Sequence, residues 1–177
     1  MHHLLRRPSR INVAARVACA ACIALSLAPA LRSSPALAGD TEAGPRQEDS
    51  QIARGRYLVR ITGCNDCHTP GYVAAAGNVA ERQWLTGDAL GFQGPWGTTY
   101  PANLRSLIQG MSLDAWKQYA RRPTRPPMPW FALRDMNDQD LAAIYEFVRS
   151  LGPSAKKVPA YAPPGARVTT AVVRFPE

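Results

Sequence analysis

Three side chains able to bond metal or carbon stand within five positions: Cys64, Cys67 and His68. This C-x-x-C-H spacing opens three kinds of chemistry. Two thiols three apart can form thioethers to neighbouring positions on one macrocycle edge. The imidazole that follows can then turn under the ring and ligate iron, which is the attachment pattern of a c-type haem. The thiol pair alone would suit dithiol redox exchange. All three ligands together could begin a zinc site.

The rest of the chain separates these readings. Residues 1–38 read as a secretory leader, with Arg6, Arg7, Arg10 and Arg16 before an apolar run from Val17 to Leu31. Pro35-Ala36-Leu37-Ala38 supplies a small-x-small cleavage pattern ahead of Gly39. The apolar run is shorter than the ~20 residues a spanning helix needs and contains Pro29. An uncleaved anchor is the other reading, and the expected destination is the periplasm. Cleavage would remove Cys19, Cys22, His2 and His3, leaving Cys64, Cys67 and His68 as the mature chain's thiols and imidazole. Zinc then lacks a fourth Cys or His ligand. A thioredoxin-like site lacks the α/β alternation its fold requires.

Charge changes with the same cut. The 177-residue chain carries a formal +8, but five of its 21 Lys and Arg and none of its 13 Asp and Glu lie in the leader. Sixteen basic residues against 13 acidic leave +3. The basic balance is therefore no argument for nucleic-acid binding, although a mild positive surface can steer an acidic redox partner.

The elements that must position the motif follow in order. Residues 39–50 are small and polar and read as a linker. A helix is expected from Ser50 to about Thr62, with Ile52, Ala53, Tyr57, Leu58 and Ile61 as its apolar positions. Gly55 within it costs ~1 kcal/mol against Ala, a cost that a close approach by another helix would explain. From Pro70 to about Asn103 the composition turns to Gly, Pro, Thr and aromatics, predicting a long wrapped loop around a non-protein core. Short helices are expected at 104–109 and 113–122, the second capped by Ser112. The proline-rich run 122–130 cannot be helical. Asn137 caps a last helix that Gly152-Pro153 stops, with Leu141, Ile144, Tyr145, Val148 and Leu151 on one face. Residues 153–177 read as a Pro-rich extended tail.

These features together resemble a monohaem class I cytochrome c over residues 51–152. The likeness rests on Gly55-Arg56-Tyr57-Leu58, the C-x-x-C-H, the Pro-flanked Met128 with Trp130, and Asp140-Leu141 followed by Tyr145, Val148 and Leu151. The segment from Gly94 to Leu104 is also similar to cytochrome c subunits of bacterial membrane-bound alcohol and sugar dehydrogenases, which carry three haem modules where this chain has one. The resemblance implies an all-α fold of helices and long loops around one covalently attached haem c. Its first and last helices would cross near Gly55 and the Tyr145 region. It also implies thioethers from Cys64 and Cys67, His68 as proximal ligand and a methionine as distal ligand.

The sixth ligand can be narrowed independently of the family. With no second imidazole in the mature chain, Met111, Met128 and Met136 are the main candidates, beside Lys, Asn or an open site. Met128 lies between Pro127 and Pro129, which fix φ and remove backbone donors, so its segment can stand rigidly outside any helix. Met111, at a helix junction, and Met136, just before a cap, suit core packing better. His68 should donate its other ring N–H to a backbone carbonyl, from Pro95 or Pro101. Trp96, Tyr100, Asn103 and Arg125 are candidates for the propionates, with ordinary packing or a solvated face as the alternative. Trp84, Trp116 and Trp130 are expected in the core.

The function expected is one-electron transfer, without enzymatic chemistry. The donor would be a dehydrogenase or quinol-linked protein, and the acceptor a terminal one such as an oxidase. Membrane contact would come only through partners or a retained leader. The alternative is a haem sensor or haem enzyme with an open distal site.

Overall fold

The computed structural model describes residues 46–176. The expected leader and the linker up to residue 45 lie outside the described residues. Helix α1 runs Gln47–Ile61, so the linker gives way to helix three residues before Ser50. Glu48 and Asp49 in the first turn favour that earlier start, because negative charge suits a helix N-terminus.

Helix α1 crosses α6 (Asp138–Ser150), and this is the most extensive helix pairing in the fold. Gly55 makes the crossing possible. A Cβ there would lie 2.6 Å from the carbonyl carbon of Ala143 and 2.7 Å from Phe147 Cβ. The crossing expected near Tyr145 is centred on the residues two either side of it. It also sets which face of α1 is buried: Gly55, Leu58 and Val59 turn inward. Of the apolar positions expected along α1, Tyr57 and Ile61 remain 52% and 58% exposed. Both project from the flank away from the Gly55 contact.

Asn137 caps α6 by accepting the Asp140 N–H at 2.7 Å, and the face from Leu141 to Val148 is buried as its periodicity predicts. Helix α3 (Leu104–Gln109) occupies its expected span, and α4 (Leu113–Ala120) begins as expected but stops two residues short of 122; they are capped by Asn103 and Ser112. Helix α5 (Trp130–Asp135) has no counterpart among the expected elements; it begins where the proline-rich run ends. Trp84 and Trp116 are core residues, whereas Trp130 is only half-buried.

The long segment after the motif is not wholly irregular. It holds a 3-10 turn at Glu81–Gln83 and a hairpin of β1 (Gly91–Gly94) and β2 (Gly97–Thr99). The tail also departs from its expected state, since β3 (Val172–Arg174) pairs parallel with β1 and makes a three-stranded sheet in the order β2-β1-β3. Backbone pairing between Thr98 and Ala162 ties the tail to β2 as well. The fold is mostly helical with long loops, as the resemblance implied, and this small sheet is the addition.

Candidate haem site

Gly63 links α1 to a one-turn helix α2 (Cys64–His68), adopting φ +74° where a side chain would be strained. Within α2, Cys67 and His68 stand three and four residues after Cys64, so all three share one helix face. That face forms part of the wall of a cavity of about 960 Å³. Apolar side chains from α1, α3 and α6 supply much of the remainder, among them Val59, Ile108 and Val148. The proline-rich segment closes another side, bringing Met128 and both flanking prolines into the same wall.

His68 is buried, and its Nδ1–H donates to the Ala102 carbonyl at 2.8 Å. The partner is therefore neither Pro95 nor Pro101; the Pro101 carbonyl instead accepts from the Asp88 N–H. With Nδ1 as donor, the Nε2 lone pair is left for a metal. Burial pushes the imidazole pKa down, against a smaller opposing effect of the Ala102 bond, so the ring is neutral near pH 7. Burial likewise raises Cys64, partly offset by its contact with the Thr62 hydroxyl, and raises Cys67. With pKa values raised, both thiols would be protonated near pH 7 before any thioether forms.

The turn behind α2 is held by polar contacts. The Thr69 hydroxyl donates to Asn65 Oδ1 at 2.7 Å and accepts the Leu85 N–H at 2.8 Å. The Gly87 N–H donates to the His68 carbonyl at 2.8 Å. Leu85 sits fully buried in the cavity wall at φ +59°, a region leucine rarely adopts. These bonds, together with the Leu104 N–H donating to the Leu85 carbonyl at 3.0 Å, hold it there.

Of the other residues proposed from the sequence, Tyr100 and Arg125 line the cavity, and Trp96 and Asn103 do not. Asn103 is buried against the tail, donating to the carbonyls of Ser154 and Lys156 at 2.9 and 2.8 Å. Met136 reaches the cavity wall and also packs on the core, while Met111 does neither. Two wall residues, Pro159 and Tyr161, come from the tail and are not among the sequence candidates. The one signal for them in the sequence is an aromatic placed in a Pro- and Ala-rich stretch.

The donor set and the cavity fit a haem. The walls are largely apolar, two thiols and a neutral imidazole share one face, and Met128 lines the same cavity. A helical shell around one such cavity defines a small haem-binding protein. Residues 52–152, more than half of the chain, match the family model described as Cytochrome c, and the chain belongs to that family.

The chain is 29% identical over 120 residues to the gluconate 2-dehydrogenase cytochrome c subunit of Pantoea cypripedii, covering 60% of this chain and 27% of that protein. It is 26% identical over 128 residues to a nicotinate dehydrogenase subunit of Pseudomonas putida, covering 63% of this chain and 9% of that one. The chain thus spans a minor part of each of these relatives. No solved structure matches it. Family membership implies haem c, and the family with these relatives supports a part in electron transfer.

Proposed function

We propose that the protein is a periplasmic one-electron carrier bearing a single haem c. Cys64 and Cys67 would form the thioethers, His68 Nε2 the proximal bond and Met128 Sδ the distal one. The observation that carries this reading is that the C-x-x-C-H face and the Pro127-Met128-Pro129 segment line one cavity, with the His68 ring already oriented by Ala102. Ligation by His and Met raises the potential relative to harder axial donors. A six-coordinate iron leaves no open position for substrate, which suits a carrier rather than a catalyst. A dehydrogenase partner on the donor side agrees with what the two relatives are called. Delivery to a terminal acceptor, such as an oxidase, completes the route. Leader cleavage after Ala38 would release the carrier to the periplasm.

Optical spectra of protein matured with a haem-attachment system, recorded in both redox states, test this. The expected result is a low-spin reduced spectrum and an oxidised sulfur–iron charge-transfer band that Met128→Ala abolishes. A high-spin spectrum that shifts on adding carbon monoxide would favour a sensor or enzyme with an open distal site. Absence of covalent haem would overturn the reading altogether.

A further inference from the structure

Residues 153–176 lie beyond the stretch matched by the family, yet they are built into the site. Pro159 and Tyr161 form part of the cavity wall. The Tyr161 hydroxyl donates to the Trp96 carbonyl at 2.8 Å, in the turn between β1 and β2. Its ring packs beneath Arg125, whose guanidinium carbon is 3.9 Å from the ring centroid. Arg125 is three residues before Met128. A second tie reaches the same segment from the sheet, as the Thr99 hydroxyl donates to the Pro126 carbonyl at 2.8 Å.

The sheet is itself secured by the tail. The Thr98 and Ala162 backbones exchange hydrogen bonds at 2.7 and 3.0 Å, and Gly97 lets them approach, since a Cβ there would lie 3.0 Å from the Pro163 carbonyl carbon. Tyr100 and Thr170 join through their hydroxyls at 2.8 Å, and Phe175 packs against Trp96 at 5.4 Å between ring centroids. The proline-rich segment needs such support. Its prolines offer no backbone N–H, so its position depends on what its carbonyls and side chains contact.

We propose that the C-terminal tail is a clamp that positions the Met128 segment, acting through Tyr161 on Arg125 and, by way of the sheet, through Thr99 on Pro126. Thr99 and Tyr161 are positioning residues: neither is a ligand, and both set how firmly the thioether is held at the cavity. The inference rests on Met128 as the distal ligand. Loosening the clamp should make Met128 easier to displace while leaving the attachment of Cys64, Cys67 and His68 intact.

The test is imidazole titration of the oxidised, full-length holoprotein, followed by loss of the sulfur–iron band. Thr99→Val should bind imidazole about fivefold more tightly than the parent, from the lost bond to Pro126. Tyr161→Ala should also bind it about fivefold more tightly, from the lost cation–π contact with Arg125 and bond to Trp96; the double variant should exceed about tenfold. Tyr161→Phe keeps the ring beneath Arg125 and should recover part of the effect. Thermal unfolding of each variant reports general loss of structure separately, because a merely structural role would lower the midpoint without the graded order Phe, Ala, double. Imidazole affinities within twofold of the parent, with a parent band that Met128→Ala removes, would overturn the clamp and leave the ligand assignment standing. A parent without the band, or a Met128→Ala protein that keeps it, would overturn both.

Discussion

Gly55 presses its α-carbon against the backbone of Ala143, leaving no space for a single methyl group. Two opposing effects decide what Gly55→Ala would do. Alanine raises helix propensity by ~1 kcal/mol. Overpacking a contact made largely to backbone costs more, typically about 1–3 kcal/mol and occasionally beyond. The clash at Ala143 and Phe147 is among the tightest at any described glycine, so the cost should reach the upper end of that range. We predict a net destabilisation of about 1–2 kcal/mol, read from the guanidinium midpoint of the holoprotein. An unchanged or higher midpoint would show that α1 and α6 can slide apart without loss.

Arg105 should prove as sensitive. It is buried, and its guanidinium donates to the carbonyls of Gly152 and Arg82 at 2.7 and 2.8 Å, with a further bond to Leu151. It thereby satisfies carbonyls just past the C-terminus of α6 and fixes the point where the tail departs. Arg105→Met retains bulk but strands those carbonyls, at an expected cost of about 3 kcal/mol. A loss below about 0.5 kcal/mol in a denaturant titration would mean that water replaces the guanidinium freely.

Acid sensitivity has an identifiable contributor in Asp140. The hydrogen bond from Arg54 holds this carboxyl below the usual aspartate range, with burial opposing it. A depressed folded pKa adds stability that is present above the unfolded value of about 3.9 and lost as pH falls through the folded value. The stability gap between parent and Asp140→Asn should therefore narrow between about pH 5 and pH 2, and salt should shrink it because Arg54 is exposed. Urea midpoints measured across that range check it; a gap independent of pH would exclude the ion pair as the cause.

The methionines should separate cleanly. Met111→Leu and Met136→Leu are volume-conserving changes and should cost less than about 1.5 kcal/mol each. Both proteins should retain the oxidised sulfur–iron band. Loss of that band in Met136→Leu would move the distal bond to Met136, which also reaches the cavity wall.

How far the sequence can be read depends on the range of the interactions involved. The α2 motif, the caps at Ser112 and Asn137 and the apolar stripe of α6 are local patterns, and each is legible. Gly55 is legible as an anomaly whose simplest cause is a helix crossing. That Tyr57 and Ile61 are exposed is not legible, because helical period alone does not say which side of α1 carries the crossing. The His68 partner is expected at a proline, but a carbonyl acceptor carries no residue-specific signal, and Ala102 serves. The sheet is least legible: β3 is three residues long, sits in a Pro-rich tail, and pairs with β1 across the whole domain. Arg105 gives no sign either, as its partners are all backbone oxygens.

The pairing of residue 91 with residue 172 also bears on the order of folding. Contacts so distant in the chain close large loops and are entropically late, whereas the turn of α2 and its bonds to Thr69 and Leu85 are nearly local. The tail's side of the cavity, with Pro159 and Tyr161 in its wall, would be the last to be sealed. Under the proposed thioether attachment, that would leave Cys64 and Cys67 accessible until the C-terminus docks. The tail would then set the order in which the cofactor is installed and enclosed.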